Sequence, residues 1–230
     1  MFFKNRADAG KKLAGLLKSF KGGGTIIYAL PRGGVVIGKE IAEALHAPLD
    51  LIITRKIGHP YQPEFAIGAV AENGHSVLSK EVAEIDESYI TAEAEIQQEE
   101  VKRRRQVYLA GRKPVPCKNK IAILVDDGIA TGLTMKAAIK ELKLHYHPKK
   151  IIVAVPVAPE ETVRDLQREG VELVALDIPE VFLGSIGAYY QDFSPVEDED
   201  VIKIMREVEG YALSLKGKLK TKASKIDIIV

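Results

Sequence analysis

Two adjacent aspartates are the residues of this 230-residue chain whose types and spacing most clearly predict chemistry. Asp126 and Asp127 follow the apolar run IAILV and precede Gly-Ile-Ala-Thr-Gly-Leu-Thr, which ends at Thr134. Glycines let the backbone approach a ligand closely, and N–H groups at the start of a following helix bind anions. Because carboxylates repel phosphate, the aspartates must face hydroxyl groups or a metal ion. The segment therefore predicts a site for a sugar diol beside a phosphate, and a pair that only caps the helix is the structural alternative.

An apolar strand that ends in two aspartates could also belong to a nucleotide triphosphatase. That function requires a phosphate loop of the form G-x-x-x-x-G-K-[ST]. Gly33, Gly38 and Lys39 have the right spacing, but Glu40 follows where a serine or threonine is needed. The intervening residues VVI also belong to an apolar helical stripe. The pattern therefore disfavours a triphosphatase.

Cationic residues follow two further apolar runs. Arg32 lies in PRGG after the run TIIYAL, and Arg55 and Lys56 come directly after LDLIIT. An arginine presents a fork of donors that matches phosphate oxygens. If both runs are strands of one parallel sheet, these cations lie at the same edge as the aspartates. We expect them to bind a second anion, and solvated charges at strand ends are the alternative.

The elements that must position these residues follow from apolar periodicity. Short apolar runs alternate with amphipathic helices, which predicts an α/β fold with an open, mostly parallel sheet and helices on both faces. Ligands of such folds bind at the carboxyl ends of the strands. The predicted strands are 25–30, 49–54, 121–125, 151–157 and 171–177, and the predicted helices are 5–20, 35–46, 81–110, 132–143, 160–169 and 197–213.

Three segments lie outside this alternation. Residues 67–79 read as two short strands around Asn73 and Gly74, a strong hairpin signal. The basic run that starts at Lys102 is interpreted as a solvated helix end rather than a basic patch. The tail 214–230 is predicted to be flexible.

The composition is that of an ordinary globular domain. The formal net charge is +1, with 46% hydrophobic and 28% charged residues, so nothing indicates a nucleic-acid or membrane partner. Cys117 is the single cysteine and cannot form an intrachain disulfide. No apolar run approaches the roughly 20 residues of a membrane-spanning helix, and the N-terminus is too polar for a signal peptide. We expect a cytoplasmic protein with a single domain over 1–230.

The string 121–134 closely resembles the phosphoribosyl-pyrophosphate motif of type I phosphoribosyltransferases. The resemblance covers about 22–195. The order of PRGG, RKIG and a helical insertion at 81–110 is most similar to a group of bacterial and archaeal phosphoribosyltransferases known from sequence. It implies an enzyme that transfers the 5-phosphoribosyl group between pyrophosphate and a nitrogenous acceptor, with Mg²⁺ and, we expect, as a homodimer.

The resemblance also implies roles for the residues of the three segments. Asp126 and Asp127 would bind the ribose hydroxyls, with Mg²⁺ held through the substrate and these two aspartates as candidate ligands. Together with Arg55 and Lys56 they are the candidate catalytic residues. The 5-phosphate would be wrapped by Asp127, Gly128, Ile129, Ala130, Thr131, Gly132, Leu133 and Thr134, and pyrophosphate by Pro31, Arg32, Gly33, Gly34, Arg55 and Lys56.

The acceptor site is expected in the irregular segment 178–196, which resembles the hood of purine phosphoribosyltransferases. Phe182 would stack on a base, with Tyr189 and Tyr190 nearby, and a core role for the tyrosines is the alternative. Tyr189 stands where purine enzymes carry an acid, two residues after Gly187, so the acceptor stays open.

The segment 57–66 could be a lid or a plain turn-rich connection. Its candidate contacts are His59, Tyr61 and Glu64. A closing segment would keep water from a cationic intermediate.

Two other functions keep the same donor site. One is a non-catalytic regulator that binds phosphoribosyl pyrophosphate, and the other is a sugar-phosphate binding protein or hydrolase. The balanced charge and the lack of a helix-turn-helix segment argue against a regulator that binds DNA.

Overall fold

Residues 2–22 and 24–209, which the computed structural model describes, form helices around a parallel sheet, with a small antiparallel sheet beside it. The helices are α1 (Arg6–Leu16), α2 (Gly33–Leu45), α3 (Glu87–Leu109), α4 (Leu133–Glu141), α5 (Glu160–Arg168) and α6 (198–209). The strands are β1 (Thr25–Ala29), β2 (Leu49–Leu51), β3 (Thr54–His59), β4 (Gln62–Ala71), β5 (Ser76–Leu78), β6 (Ile121–Val125), β7 (Lys150–Val157) and β8 (Glu172–Asp177).

The central sheet has the strand order β2-β1-β6-β7-β8, and every neighbouring pair is parallel. Alternate residues of β1 show why its run is continuously apolar. Ile27 packs with α1, α2 and α6, while Ile26 and Tyr28 pack with α4 and α5 on the opposite face. Strands buried on both faces require apolar side chains at every position. The predicted fold class is confirmed.

The predicted strand 49–54 is wrong in its second half. The chain leaves the central sheet after β2, where the N–H of Ile52 still donates to the Ala29 carbonyl, and begins the antiparallel sheet β3-β4-β5 at Thr54. Ile52 and Ile53 are buried although they lie in neither strand. Their burial extends the apolar run and conceals the boundary between the two sheets.

The second sheet confirms the predicted hairpin around Asn73 and Gly74. β4 and β5 pair antiparallel, and Gly74 has a φ of +78° in the turn between them. The segment 57–66 is a second hairpin, formed by the end of β3 and the start of β4. Tyr61 at its tip is 88% exposed. Closure of this hairpin over a ligand stays a prediction.

The predicted helices differ from those of the structure mainly at their ends. α3 begins at Glu87 because residues 80–84 form a separate 3₁₀ turn, and a π-helical turn at 142–146 follows α4. α6 ends at the limit of the described residues, so the predicted extension to 213 and the tail 214–230 lie outside them. Among the described residues, none of the helices has the length and apolar character needed to cross a bilayer.

The basic run of α3 is not uniformly solvated. Arg105 is only 7% exposed, and its Nε lies 3.1 Å from a carboxylate oxygen of Glu72. It also donates to the Leu51 carbonyl at 3.1 Å. For this residue the predicted solvated helix end is wrong, because one side of α3 packs on the sheet.

The segment 178–196 contains a single short 3₁₀ turn, Ile186–Tyr189. It packs against the N-terminal residues, since the N–H of Phe3 donates to the Tyr189 carbonyl at 2.8 Å and the Phe3 carbonyl accepts from Gln191 at 2.8 Å. Phe3 is fully buried. The N-terminal segment is therefore part of the layer that covers this end of the sheet.

Candidate functional site

Asp126 and Asp127, the acid pair, lie at the carboxyl end of β6, between β1 and β7. The N–H of Asp127 donates to Oδ1 of Asp126 at 2.8 Å, and the hydroxyl of Tyr190 donates to the Asp127 carbonyl at 2.6 Å. Burial raises the pKa of both carboxyls, and the charge of Asp127 raises that of Asp126 further. Two ionised carboxylates side by side therefore need compensation from a cation or a ligand.

Arg6 supplies part of that compensation. Its Nε donates to Oδ2 of Asp127 at 2.7 Å, and this contact opposes the rise in the pKa of the Asp127 carboxyl. Sequence reasoning missed this residue because 121 positions separate the partners. The one local signal is its place in the first turn of α1, where the helix dipole disfavours a cation.

The PRGG segment brings the start of α2 directly against the acid pair. A Cβ on Gly33 would lie 1.8 Å from Oδ2 of Asp127, and one on Gly34 would lie 2.9 Å from the Val125 carbonyl oxygen. The preceding Pro31–Arg32 peptide bond is cis. The glycines predicted for close approach to a ligand are thus also required by contact with the protein itself.

Arg32 is engaged by the acidic start of α6. Its NH1 lies 2.9 Å from Oε2 of Glu197 and 3.6 Å from Oδ1 of Asp198. Asp198 also accepts from the hydroxyl of Tyr108 at 2.7 Å. Burial and this hydrogen bond raise the pKa of Tyr108 to about 12. An anion that binds Arg32 must therefore compete with two carboxylates.

Arg55 and Lys56 lie near the beginning of β3 rather than at the end of a central strand. Nε of Arg55 donates to Oε1 of Gln97 on α3 at 2.8 Å, and Lys56 is exposed. Burial and the neighbouring Arg104 lower the pKa of Arg55. Arg32, Arg55 and Arg104 all interact electrostatically with Tyr108. Arg32 and Arg55 thus lie near the same tyrosine, together with Arg104 of the helical insertion.

Hydrogen bonds to β7 and α5 hold the loop that follows the acid pair. The N–H of Ile129 donates to the Val157 carbonyl at 2.9 Å, and Oγ1 of Thr162 donates to the Ala130 carbonyl at 2.6 Å. Gly132 has a φ of +78° and directly precedes α4. The first N–H groups of a helix have no partner within it, so those from Leu133 onward could donate to an anion. Binding of a 5-phosphate by this segment stays a prediction.

Comparisons with known proteins identify the family of the chain. The sequence model of the family described as "Phosphoribosyl transferase domain" matches residues 3–191. The chain belongs to this family.

Two relatives extend the comparison. Proteins of Mycobacterium tuberculosis strains CDC 1551 and H37Rv, each named "Putative phosphoribosyl transferase", are 37% identical over 206 residues, or 88% of this chain. The match covers 46% of their length, so the chain spans about half of each relative. The crystal structure of TT1426 from Thermus thermophilus is 41% identical with a TM-score of 0.76, over 90% of this chain and 99% of that one.

The three predicted acceptor contacts of this phosphoribosyl transferase domain lie in different environments. Tyr189 and Tyr190 are buried in the core, the role left open as an alternative. Phe182 is half-buried and stacks on Tyr189 with ring centroids 5.5 Å apart. Next to it, Val181 and Leu183 are exposed. Phe182 is therefore the one of the three that is not fully buried, and its contact with an acceptor stays a prediction.

The residues present fit a magnesium ion only together with substrate. Among residues 2–22 and 24–209, no group of three or more His, Cys, Asp or Glu side chains could hold a metal. Magnesium is commonly bound through one or two carboxylates and substrate phosphates. Asp126 and Asp127 would supply such oxygens, although Arg6 already occupies Oδ2 of Asp127.

Proposed function

We propose that the protein is a Mg²⁺-dependent phosphoribosyltransferase that acts on phosphoribosyl pyrophosphate and a nitrogenous acceptor, a nucleobase or a related compound. The acid pair between two loops suited to anions, 31–34 and 128–134, carries the proposal. A ribose diol facing Asp126 and Asp127 would have its 5-phosphate at the start of α4 and its pyrophosphate at the start of α2. A cytoplasmic location and a homodimeric state belong to the same proposal.

The residues would act by positioning and electrostatics. As the bond between C1 and the pyrophosphate oxygen breaks, positive charge develops on the ribose, and the carboxylates of Asp126 and Asp127 stabilise it. Arg32, Arg55 and Lys56 would stabilise the departing pyrophosphate, and the acceptor nitrogen forms the new bond to C1. Bound Mg²⁺ would neutralise phosphate charge. No strong base or nucleophile is required from the protein.

Arg32 must change partners in this scheme. In the structure its guanidinium contacts Glu197 and Asp198, both partly exposed. Exposed ion pairs contribute only about 0.2–1 kcal/mol, so a multiply charged pyrophosphate can displace these carboxylates at small cost.

Calorimetric titration with phosphoribosyl pyrophosphate and Mg²⁺ tests the donor site. We expect saturable binding by the wild type and none by the variant Asp126→Asn/Asp127→Asn, with circular dichroism unchanged. Asp165→Asn, which removes a partly exposed carboxylate paired with Lys136, is the matched control and should bind normally. Absence of binding by the wild type would refute the proposal, and unfolding of the double variant would show that the pair is structural.

A screen of bases and amines for pyrophosphate release tests catalysis and identifies the acceptor. Release with one acceptor class is the expected result. Donor binding without release from any acceptor would instead support the regulator that binds phosphoribosyl pyrophosphate.

A further inference from the structure

Arg6 lies where three segments of the proposed site meet. Its Nε is 2.7 Å from Oδ2 of Asp127 and would be 2.8 Å from a Cβ placed on Gly33. Its NH1 donates to the Ser194 carbonyl at 2.8 Å. One side chain from α1 thus touches the acid pair, the start of α2 and the segment 178–196.

The guanidinium is held in place by more than Asp127. Its central carbon lies 3.8 Å from the centroid of the Phe193 ring, a cation–π contact. α1 is itself fixed, because Asn5 caps it by accepting from the Asp8 N–H at 2.9 Å. Gly10 lets α1 approach α2 so closely that a Cβ there would lie 2.9 Å from Cβ of Glu40. The donors of Arg6 are therefore aimed before any ligand arrives.

We propose that Arg6 is a positioning residue for Asp127, an inference that rests on the proposed function. By donating to Oδ2, Arg6 fixes the orientation of the carboxylate that faces the ribose hydroxyls. Its positive charge also offsets one of two adjacent negative charges in a site that must accept an anionic substrate. The N-terminal helix thereby becomes part of the donor site.

A direct contact between Arg6 and the pyrophosphate group is the competing role, because Arg6 also lies against Gly33. Three probes separate the two roles in calorimetric titrations of the full chain: phosphoribosyl pyrophosphate with Mg²⁺, ribose 5-phosphate, and inorganic pyrophosphate with Mg²⁺. Ribose 5-phosphate carries the diol without pyrophosphate, and pyrophosphate carries no diol.

Arg6→Gln should weaken binding of phosphoribosyl pyrophosphate and of ribose 5-phosphate by the same factor, about tenfold or more, as expected for a lost hydrogen bond between charged groups. Binding of pyrophosphate should be nearly unchanged. Asp127→Asn keeps an amide oxygen that can accept from a ribose hydroxyl, so this variant should bind the donor weakly. In that background Arg6→Gln should have no further effect, because its partner is already altered. Arg6→Lys, which keeps the charge, should restore part of the affinity.

Lys12→Gln is the control for a charge lost from α1, since Lys12 pairs with the partly exposed Asp8 one turn earlier on that helix, and it should bind all probes normally. Unchanged donor binding by Arg6→Gln, additive losses in the double variant, or an equal loss of pyrophosphate affinity would each overturn the inference. Should Arg6→Gln fail to fold, Arg6→Lys with and without Asp127→Asn gives the same comparison. Failure of the wild type to bind the donor would instead refute the proposed function and this inference with it.

Discussion

At the scale of single residues, the site depends on positions where a side chain would not fit. A Cβ on Gly33 would overlap the Asp127 carboxylate, and one on Gly128 would lie 2.6 Å from Cγ2 of Ile186. These contacts are between parts of the protein, so the glycines are needed even without ligand. They keep the acid pair between α2 and the segment 178–196.

Gly33→Ala tests this argument, with Gly15→Ala as its matched control. The added methyl at 33 must displace Asp127, and overpacking of this kind costs about 1–3 kcal/mol. We expect a lower free energy of unfolding in urea and loss of donor binding. Gly15 lies within α1 with no atom within 4 Å of its Cβ position, so alanine there should stabilise by about 0.5–1 kcal/mol. Equal effects of the two substitutions would contradict this account.

The sequence predicted the site residues that follow buried strands, because the carboxyl ends of parallel strands share an edge. Asp126 and Asp127 were found in this way. Arg6 was not, because no local pattern links residues 121 positions apart. Tyr190 was identified, but as an acceptor contact, whereas its hydroxyl donates to the Asp127 backbone. The side chain of Tyr190 is buried, and its contact with an acceptor stays a prediction.

At the scale of elements, α3 shows why a run of like residues does not share one environment. Successive helical residues point about 100° apart. Arg103 is therefore exposed and pairs with Glu100 within the helix, while Arg105 is buried between Glu72 and Asp50. The basic run was interpreted as solvated because its composition gave no sign of which side packs on the sheets.

Replacement of each arginine by methionine should separate these environments. Arg105→Met leaves buried Asp50 without its nearby cation, and breaking a buried pair costs about 3–5 kcal/mol. Arg103→Met removes an exposed pair and should change the free energy of unfolding by less than about 0.5 kcal/mol. Urea unfolding of both variants measures the difference. A cost for Arg105→Met as small as that for Arg103→Met would show that Asp50 is satisfied by its backbone hydrogen bonds and the charge of Arg112.

At the scale of the whole molecule, the parallel sheet could be predicted because strands buried on both faces form continuous apolar runs. The strand β3 could not be predicted, because Thr54–His59 carries charged and polar residues that neither alternate cleanly with apolar ones nor form an apolar run. The small sheet follows the central one without a composition change. Its hairpin turn at Gly74 was the only part with a strong local signal.

The acid pair should also lower the stability of the whole molecule at neutral pH. The folded-state pKa of Asp126 is raised above its ordinary value of 3.8, by burial and by Asp127. As pH rises above this value, the unfolded chain releases its proton first, so the free energy of unfolding falls until the raised folded-state pKa is passed.

An asparagine at position 126 cannot ionise. The Tm of Asp126→Asn should therefore exceed that of the wild type by an amount that is small near pH 4 and grows toward pH 7, although the variant loses donor binding. Asp165, whose pKa is lowered by Lys136, is the control of opposite sign. Asp165→Asn should have a slightly lower Tm than the wild type, by an amount that changes little over this range because Asp165 ionises below it. Thermal unfolding at intervals of pH measures both, and a difference for Asp126→Asn that does not grow with pH would show that the folded chain already compensates both carboxylates, with Arg6 as the cation at hand.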